Sequence, residues 1–176
     1  PAVSVLDAFS DRTVPILPLV SKEAGVADNY GFGGTAVDAV TANTIIFIDT
    51  AVSGYEALAT EWQARGAVVL IDSTRDGIEQ VMAALAGRSN LDAIHFVSHG
   101  SQNNFVLGTT SIGIDGITGS LSAVWASICS RLSADGDILI YGCNVSLDDA
   151  GQSFIDALAL ATGADVAAST DDTGAA

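Results

Sequence analysis

Two side chains of this sequence could work together as a nucleophile and its base. They are Cys143 in GDILIYGCNV (136–145) and His99 in LDAIHFVSHG (91–100). Each closes a short, continuous apolar run of the kind that forms a strand covered on both faces. In an open parallel sheet, ligands bind in the crevice outside the carboxyl ends of the strands. A thiol and an imidazole delivered there make nucleophilic catalysis chemically available. Taken singly, each residue has a plainer reading: His99 as a hydrogen-bonded loop histidine, Cys143 as a small buried side chain. Their shared placement at strand ends makes the catalytic reading the sharper one.

Other candidates are fewer. Asp49, Asp72, Asp171 and Asp172 could form an acidic pocket for a basic side chain, or could serve as helix caps and turn residues. Asp148 and Asp149 are accounted for by capping near a helix N-terminus. His95 is expected to pack between sheet and helix. Cys129 lies on the apolar face of a predicted helix and reads as an inert core thiol. No metal site is expected, because His95 and His99 are the only histidines and no zinc spacing exists. GFGG (31–34) precedes the first strand instead of following it, so a dinucleotide fingerprint is absent. Nor is there a G-x-S-x-G elbow.

The elements that must position these residues begin at residue 44. Residues 1–43 contain Pro15, Pro18 and a glycine-rich YGFGGTAVDAV run, and read as an extended arm or leader. Residues 44–176 read as one α/β domain. TIIFIDT (44–50), AVVLID (67–72), DAIHFVS (92–98), DILIYG (137–142) and ADVAAS (164–169) are the predicted strands. Ser53 and Glu56 have capping-box spacing ahead of a helix carrying Tyr55, Leu58 and Trp62, with Gly66 as its stop. A second helix runs from about Arg75 to Gly87, a third over 120–132 and a fourth over 149–161. NNFVLGTTSIGI (103–114) reads as a small hairpin. Alternating strands and amphipathic helices imply right-handed βαβ units and a mostly parallel sheet.

Composition bounds the partners. With 6 basic and 21 acidic residues the net charge is −15, which opposes nucleic-acid binding. That balance suits a salty or calcium-rich exterior. No calcium loop or glycine–aspartate repeat is present, so a calcium cofactor has no motif behind it. No apolar stretch reaches the roughly 18 residues of a membrane span. The start of the sequence lacks the basic-then-apolar layout of a secretory leader.

AIHFVSHG (93–100), LG (107–108), LSADGDILIYGCNV (132–145) and GADVAASTDDTG (163–174) together resemble a bacterial domain of unknown function. That domain stands near the N-terminal end of very large secreted proteins with cadherin-like, immunoglobulin-like or calcium-binding repeats. It is in turn similar to the caspase–gingipain–clostripain group of cysteine peptidases. The resemblance implies a caspase-like three-layer sandwich, sheet order 2-1-3-4-5, with helices on both faces and a small hairpin after the third strand. It implies His99 as base, Cys143 as nucleophile, and the backbone N–H groups of Gly100 and Cys143 as oxyanion hole. It also implies a secreted or cell-surface setting. The expected partner is a peptide segment of the parent chain or of neighbouring surface proteins. The peptidases commonly carry Ala-Cys or Ser-Cys, where this chain has Gly142-Cys143-Asn144. No residue orienting His99 is evident. The competing expectation is a non-catalytic caspase-like module that anchors an adhesin or self-assembles at a surface.

Overall fold

The computed structural model describes residues 43–101, 104–142, 145 and 149–168. Cys143, Ser169, Asp171, Asp172 and the predicted arm up to residue 42 lie outside the described residues. Among the described residues, eight strands and four α-helices follow in chain order: β1 (Thr44–Asp49), α1 (Tyr55–Trp62), β2 (Ala67–Ile71), α2 (Gly77–Ala84), β3 (Leu91–Val97), β4 (Gly100–Ser101), β5 (Asn104–Leu107), β6 (Thr110–Gly113), α3 (Ser122–Cys129), β7 (Leu132–Tyr141), α4 (Asp149–Thr162) and β8 (Asp165–Ala168). A π-helical turn, Gly116–Ser120, leads into α3.

Continuous apolar composition makes the central strands. Ile45, Ile46, Phe47 and Ile48 are fully buried, which requires cover on both faces of β1. The sheet runs β2-β1-β3-β7-β8 with every neighbouring pair parallel. Counting only these strands, the order is 2-1-3-4-5, as expected. Helices flank both faces, and β4-β5-β6 form a small antiparallel sheet. The architecture is therefore an α/β three-layer sandwich.

The two faces are unequal. Ile46, Ile48 and Val97 meet Ala59 and Trp62 of α1 on one face. Ile45, Phe47, Ile94 and Phe96 meet Ile78, Val81, Trp125, Ile128, Phe154 and Leu158 from α2, α3 and α4 on the other. Phe105, Leu107 and Ile112 of the hairpin join that larger core. Phe96 stacks on Phe47 (5.3 Å between centroids) and meets Phe105 at 5.8 Å, which packs the hairpin directly onto the sheet. Each such phenylalanine contributes about 1.5–3 kcal/mol by leaving water.

Local details depart from expectation in three places. The Ser53–Glu56 capping box does not form: Gly54, at φ 74°, occupies the N-cap position of α1 and no side chain caps it. The reason is the tight backbone turn leaving β1, where Val52 N–H donates to Asp49 O and Tyr55 N–H to Val52 O. Gly66 does not stop the helix, which ends at Trp62. Its role is close approach, since a Cβ there would stand 2.5 Å from Thr44 O. Leu132, expected in a helix, pairs instead with Leu91 as β7 begins, and the register then shifts before Ala93 meets Asp137. By contrast Asp76 caps α2 with its own side chain, accepting from Glu79 N–H at 2.9 Å.

Candidate functional site at the carboxyl edge of the sheet

From β1 the chain moves outward to β2, then returns to lay β3 on the other side of β1. The strand order therefore reverses between β1 and β3, which makes their carboxyl ends the topological switch point. The residues following those strands are Thr50–Ala51 and Ser98–His99.

His99 bridges this switch point. Its Nε2 lies 3.0 Å from the carbonyl oxygen of Ala51. A carbonyl only accepts, so Nε2 carries the proton and the neutral ring presents Nδ1 as its lone pair. The backbone at His99 is held as well. Val106 N–H donates to His99 O at 2.9 Å, and Ser98 Oγ donates to the same oxygen at 3.2 Å. The ring itself is solvent-exposed. An oriented, accessible imidazole is what a general base requires. Ala51 is the residue that sequence reasoning missed, and no residue-type signal could have found it, because only its backbone is used.

Cys143 itself lies outside the described residues, but the approach to it is defined. β3 and β7 are neighbours with Val97 opposite Tyr141, and Ser98 N–H donates to Tyr141 O at 3.0 Å. His99 follows Val97 by two residues, and Cys143 follows Tyr141 by two. Adjacent strands run about 5 Å apart. A Cβ placed on Gly142 would stand 3.2 Å from both the Cα and the N of Gly100, and 3.0 Å from Val145 Cγ2. The backbones of Gly100 and Gly142 are thus pressed together.

Of the acidic candidates, Asp49 and Asp72 lie within the described residues, and each is engaged by its own surroundings. Asp49 is 2% exposed, and its two oxygens accept from Ala51 N–H (2.8 Å) and Gly108 N–H (2.6 Å). Asp72 bonds within its own turn, accepting from the backbone N–H and hydroxyl of Thr74. Those two bonds hold its carboxyl below the usual range, with Arg75 adding a smaller pull. Asp171 and Asp172 fall outside the described residues.

The two remaining titratable candidates are half-buried against the core. His95 stacks on Tyr141 (5.8 Å, 8°), meets the edge of Trp62 at 5.7 Å, and places Nδ1 3.3 Å from the Tyr141 hydroxyl. Burial, with Arg65 nearby, pushes its pKa down to about 4. The Cys129 thiol is pushed up by burial and packs against the larger core.

Among the described residues no group of three or more His, Cys, Asp or Glu side chains is gathered at metal-binding distance. Among them, too, no helix is long and apolar enough to cross a membrane. A shallow hollow of about 460 Å³ lies beside the hairpin, lined by Asn104, Ser111, Gly113, Ile114, Asp115 and Gly116. A second hollow of about 180 Å³ follows the bodies of β7 and β8, away from the carboxyl edge.

No curated protein and no solved structure matches this chain. A family model does match residues 45–176, which span the sheet from Ile45 of β1 onward and the strand ends that carry His99 and Cys143. The chain belongs to the family described as a domain of unknown function, DUF4347.

Proposed function

We propose that this chain is a cysteine peptidase module of caspase-like descent, with His99 as base and Cys143 as nucleophile. The observation that carries the reading is the contact between Gly100 and Gly142, which brings the backbones beside the two residues together. The oriented His99 ring supports it.

In this reading the Cys143 thiol gives its proton to His99 Nδ1, and Sγ attacks the scissile carbonyl carbon. The C–S bond forms as the carbonyl oxygen takes up negative charge, which the backbone N–H groups of Gly100 and Cys143 would receive. The C–N bond then breaks, and His99 returns the proton to the departing amine. Water, deprotonated by His99, attacks the thioester and releases the carboxylic acid with the thiol restored. Throughout, Ala51 O keeps the opposite ring nitrogen in place. The substrate is a peptide segment of the parent chain or of a neighbouring surface protein, in a secreted setting that the charge of −15 suits.

The test uses the full chain with Cys143→Ala and His99→Ala variants, with and without calcium. Self-cleavage, or cleavage of a peptide library, is expected only in the unaltered protein. Iodoacetamide at neutral pH should label Cys143 faster than a free thiol, an advantage lost in His99→Ala, while the half-buried Cys129, its thiol pushed up by burial, labels slowly in all three proteins. Identical band patterns in all three proteins, with a Cys143 no more reactive in wild type than in His99→Ala, would sink the reading. That outcome would favour the non-catalytic surface-assembly module.

A further inference from the structure

We propose that Asp49 is the positioning residue for His99, tying the orientation of the imidazole to the docking of the β5–β6 hairpin. The consequence for Cys143 rests on the peptidase reading; the link itself does not.

Asp49 ends β1 and points into the larger-core side, where the hairpin covers the sheet. It is 2% exposed, an unusual place for a carboxylate unless its oxygens are engaged. Both are engaged by backbone donors from different segments. One oxygen holds Ala51 N–H at 2.8 Å, and the other holds Gly108 N–H at 2.6 Å. Ala51 is the residue whose carbonyl receives His99 Nε2 at 3.0 Å. The segment has two further ties that fix its height above the sheet: Thr50 N–H donates to Ile71 O, and Ser73 N–H to Thr50 Oγ1. At the other end Gly108 is wedged against the loop before α2, because Thr109 N–H donates to Arg75 O at 2.9 Å. Gly108, Asp49, Ala51 and His99 thus form one continuous chain of hydrogen bonds from hairpin tip to imidazole. His99 O closes the circuit by accepting from Val106 in the same hairpin.

A carboxylate is the group this arrangement needs. It offers acceptors on both oxygens, whereas an amide offers one acceptor and one donor group. In Asp49→Asn one of the two backbone N–H groups must face another donor. The Ala51 turn or the hairpin then loosens, and the carbonyl that selects the His99 tautomer loses its fixed position.

The test reads the His99 ring directly by 15N NMR of the full chain. The unaltered protein should show a single tautomer with the proton on Nε2. Asp49→Asn should show a tautomer mixture and about tenfold slower alkylation of Cys143. Asp156→Asn serves as the control, because it alters an exposed carboxylate on α4 that accepts from Gln152 Nε2, away from this chain of bonds. It should leave the tautomer unchanged. A folded Asp49→Asn protein that keeps the single tautomer overturns the proposal, whatever Cys143 does. If that variant does not fold, the unaltered chain decides. Slow exchange at the Ala51 and Gly108 amides with one His99 tautomer is expected, and a freely exchanging Ala51 amide or a tautomer mixture overturns the link. A Cys143 that is inert in every variant removes the peptidase reading and leaves the tautomer result to judge this one.

Discussion

Gly142 lies so close to Gly100 that a methyl group on it would stand 3.2 Å from the Gly100 Cα and N. The contact joins the ends of two neighbouring strands immediately beside Cys143 and His99. It also gives a physical reason for a glycine at position 142.

Gly142→Ala is therefore expected to push β7 from β3 by a few tenths of an ångström. Its stability cost should be about 1 kcal/mol, at the low end for overpacking. Alkylation of Cys143 should slow in parallel, and urea titration with timed thiol labelling measures both. Unchanged stability and labelling would show that the two backbones have room to spare.

Burial of His95 makes stability depend on acid. Its pKa is about 4 in the folded chain against 6.5 for the free side chain, so the unfolded state binds the proton more readily. The stability it contributes is whole above pH 6.5 and is lost as pH falls toward 4. At 1.36 kcal/mol per unit the full loss is roughly 3 kcal/mol. His95→Phe keeps a ring against Tyr141 and Trp62 and removes the titration. The difference in urea midpoint between variant and wild type should grow in the variant's favour from pH 7 to pH 4.5. A parallel fall in both proteins would mean that His95 charges without disturbing the core.

Gly108 combines φ 57° with a Cβ position only 2.0 Å from Arg75 O. Gly108→Ala should cost about 2–4 kcal/mol, from left-handed strain together with steric overlap. Gly87→Ala is the informative comparison, because φ 75° there comes with open space. It should cost only the conformational part, about 1–2 kcal/mol. Chemical denaturation of the two variants separates the terms, and equal losses would mean that the hairpin tip yields.

Arg88 is 4% exposed, with Nε donating to Ala84 O at 3.0 Å and one terminal nitrogen without a partner among the described residues. Burial pushes its pKa down. A buried cation so sparsely bonded contributes little net stability. Arg88→Met should leave stability unchanged or raise it by about 1–2 kcal/mol, read from thermal or urea unfolding. A loss of several kcal/mol would reveal a further partner for the guanidinium.

Much of the scaffold was legible in the residues. Runs such as TIIFID (44–49) and DILIY (137–141) read as strands covered on both faces, and Gly87 and Gly163 as helix ends, while the Asp76 cap became visible only in the structure. The hairpin followed from its turn residues between short apolar runs. The periodicity failed where a backbone decided the matter. Gly54, in a left-handed conformation at the end of the turn after Asp49, took the N-cap position in place of Ser53. Leu132 left the helical pattern because Arg131 O accepts from Leu91 N–H and draws the chain into β7.

The amino-acid sequence by itself determined the alternation of strands and helices, a mostly parallel sheet and the residue types at its carboxyl edge, because apolar periodicity and right-handed crossovers leave few alternatives; the strand order was an expectation from family resemblance. Which atoms meet at that edge was decided only in the tertiary structure. Ala51 O against His99, Gly100 against Gly142, and Asp49 turned inward to hold the hairpin all depend on contacts between segments distant in the chain. Backbone carbonyls and N–H groups carry most of those contacts, and every residue but proline has both. No choice of side chain could have announced them.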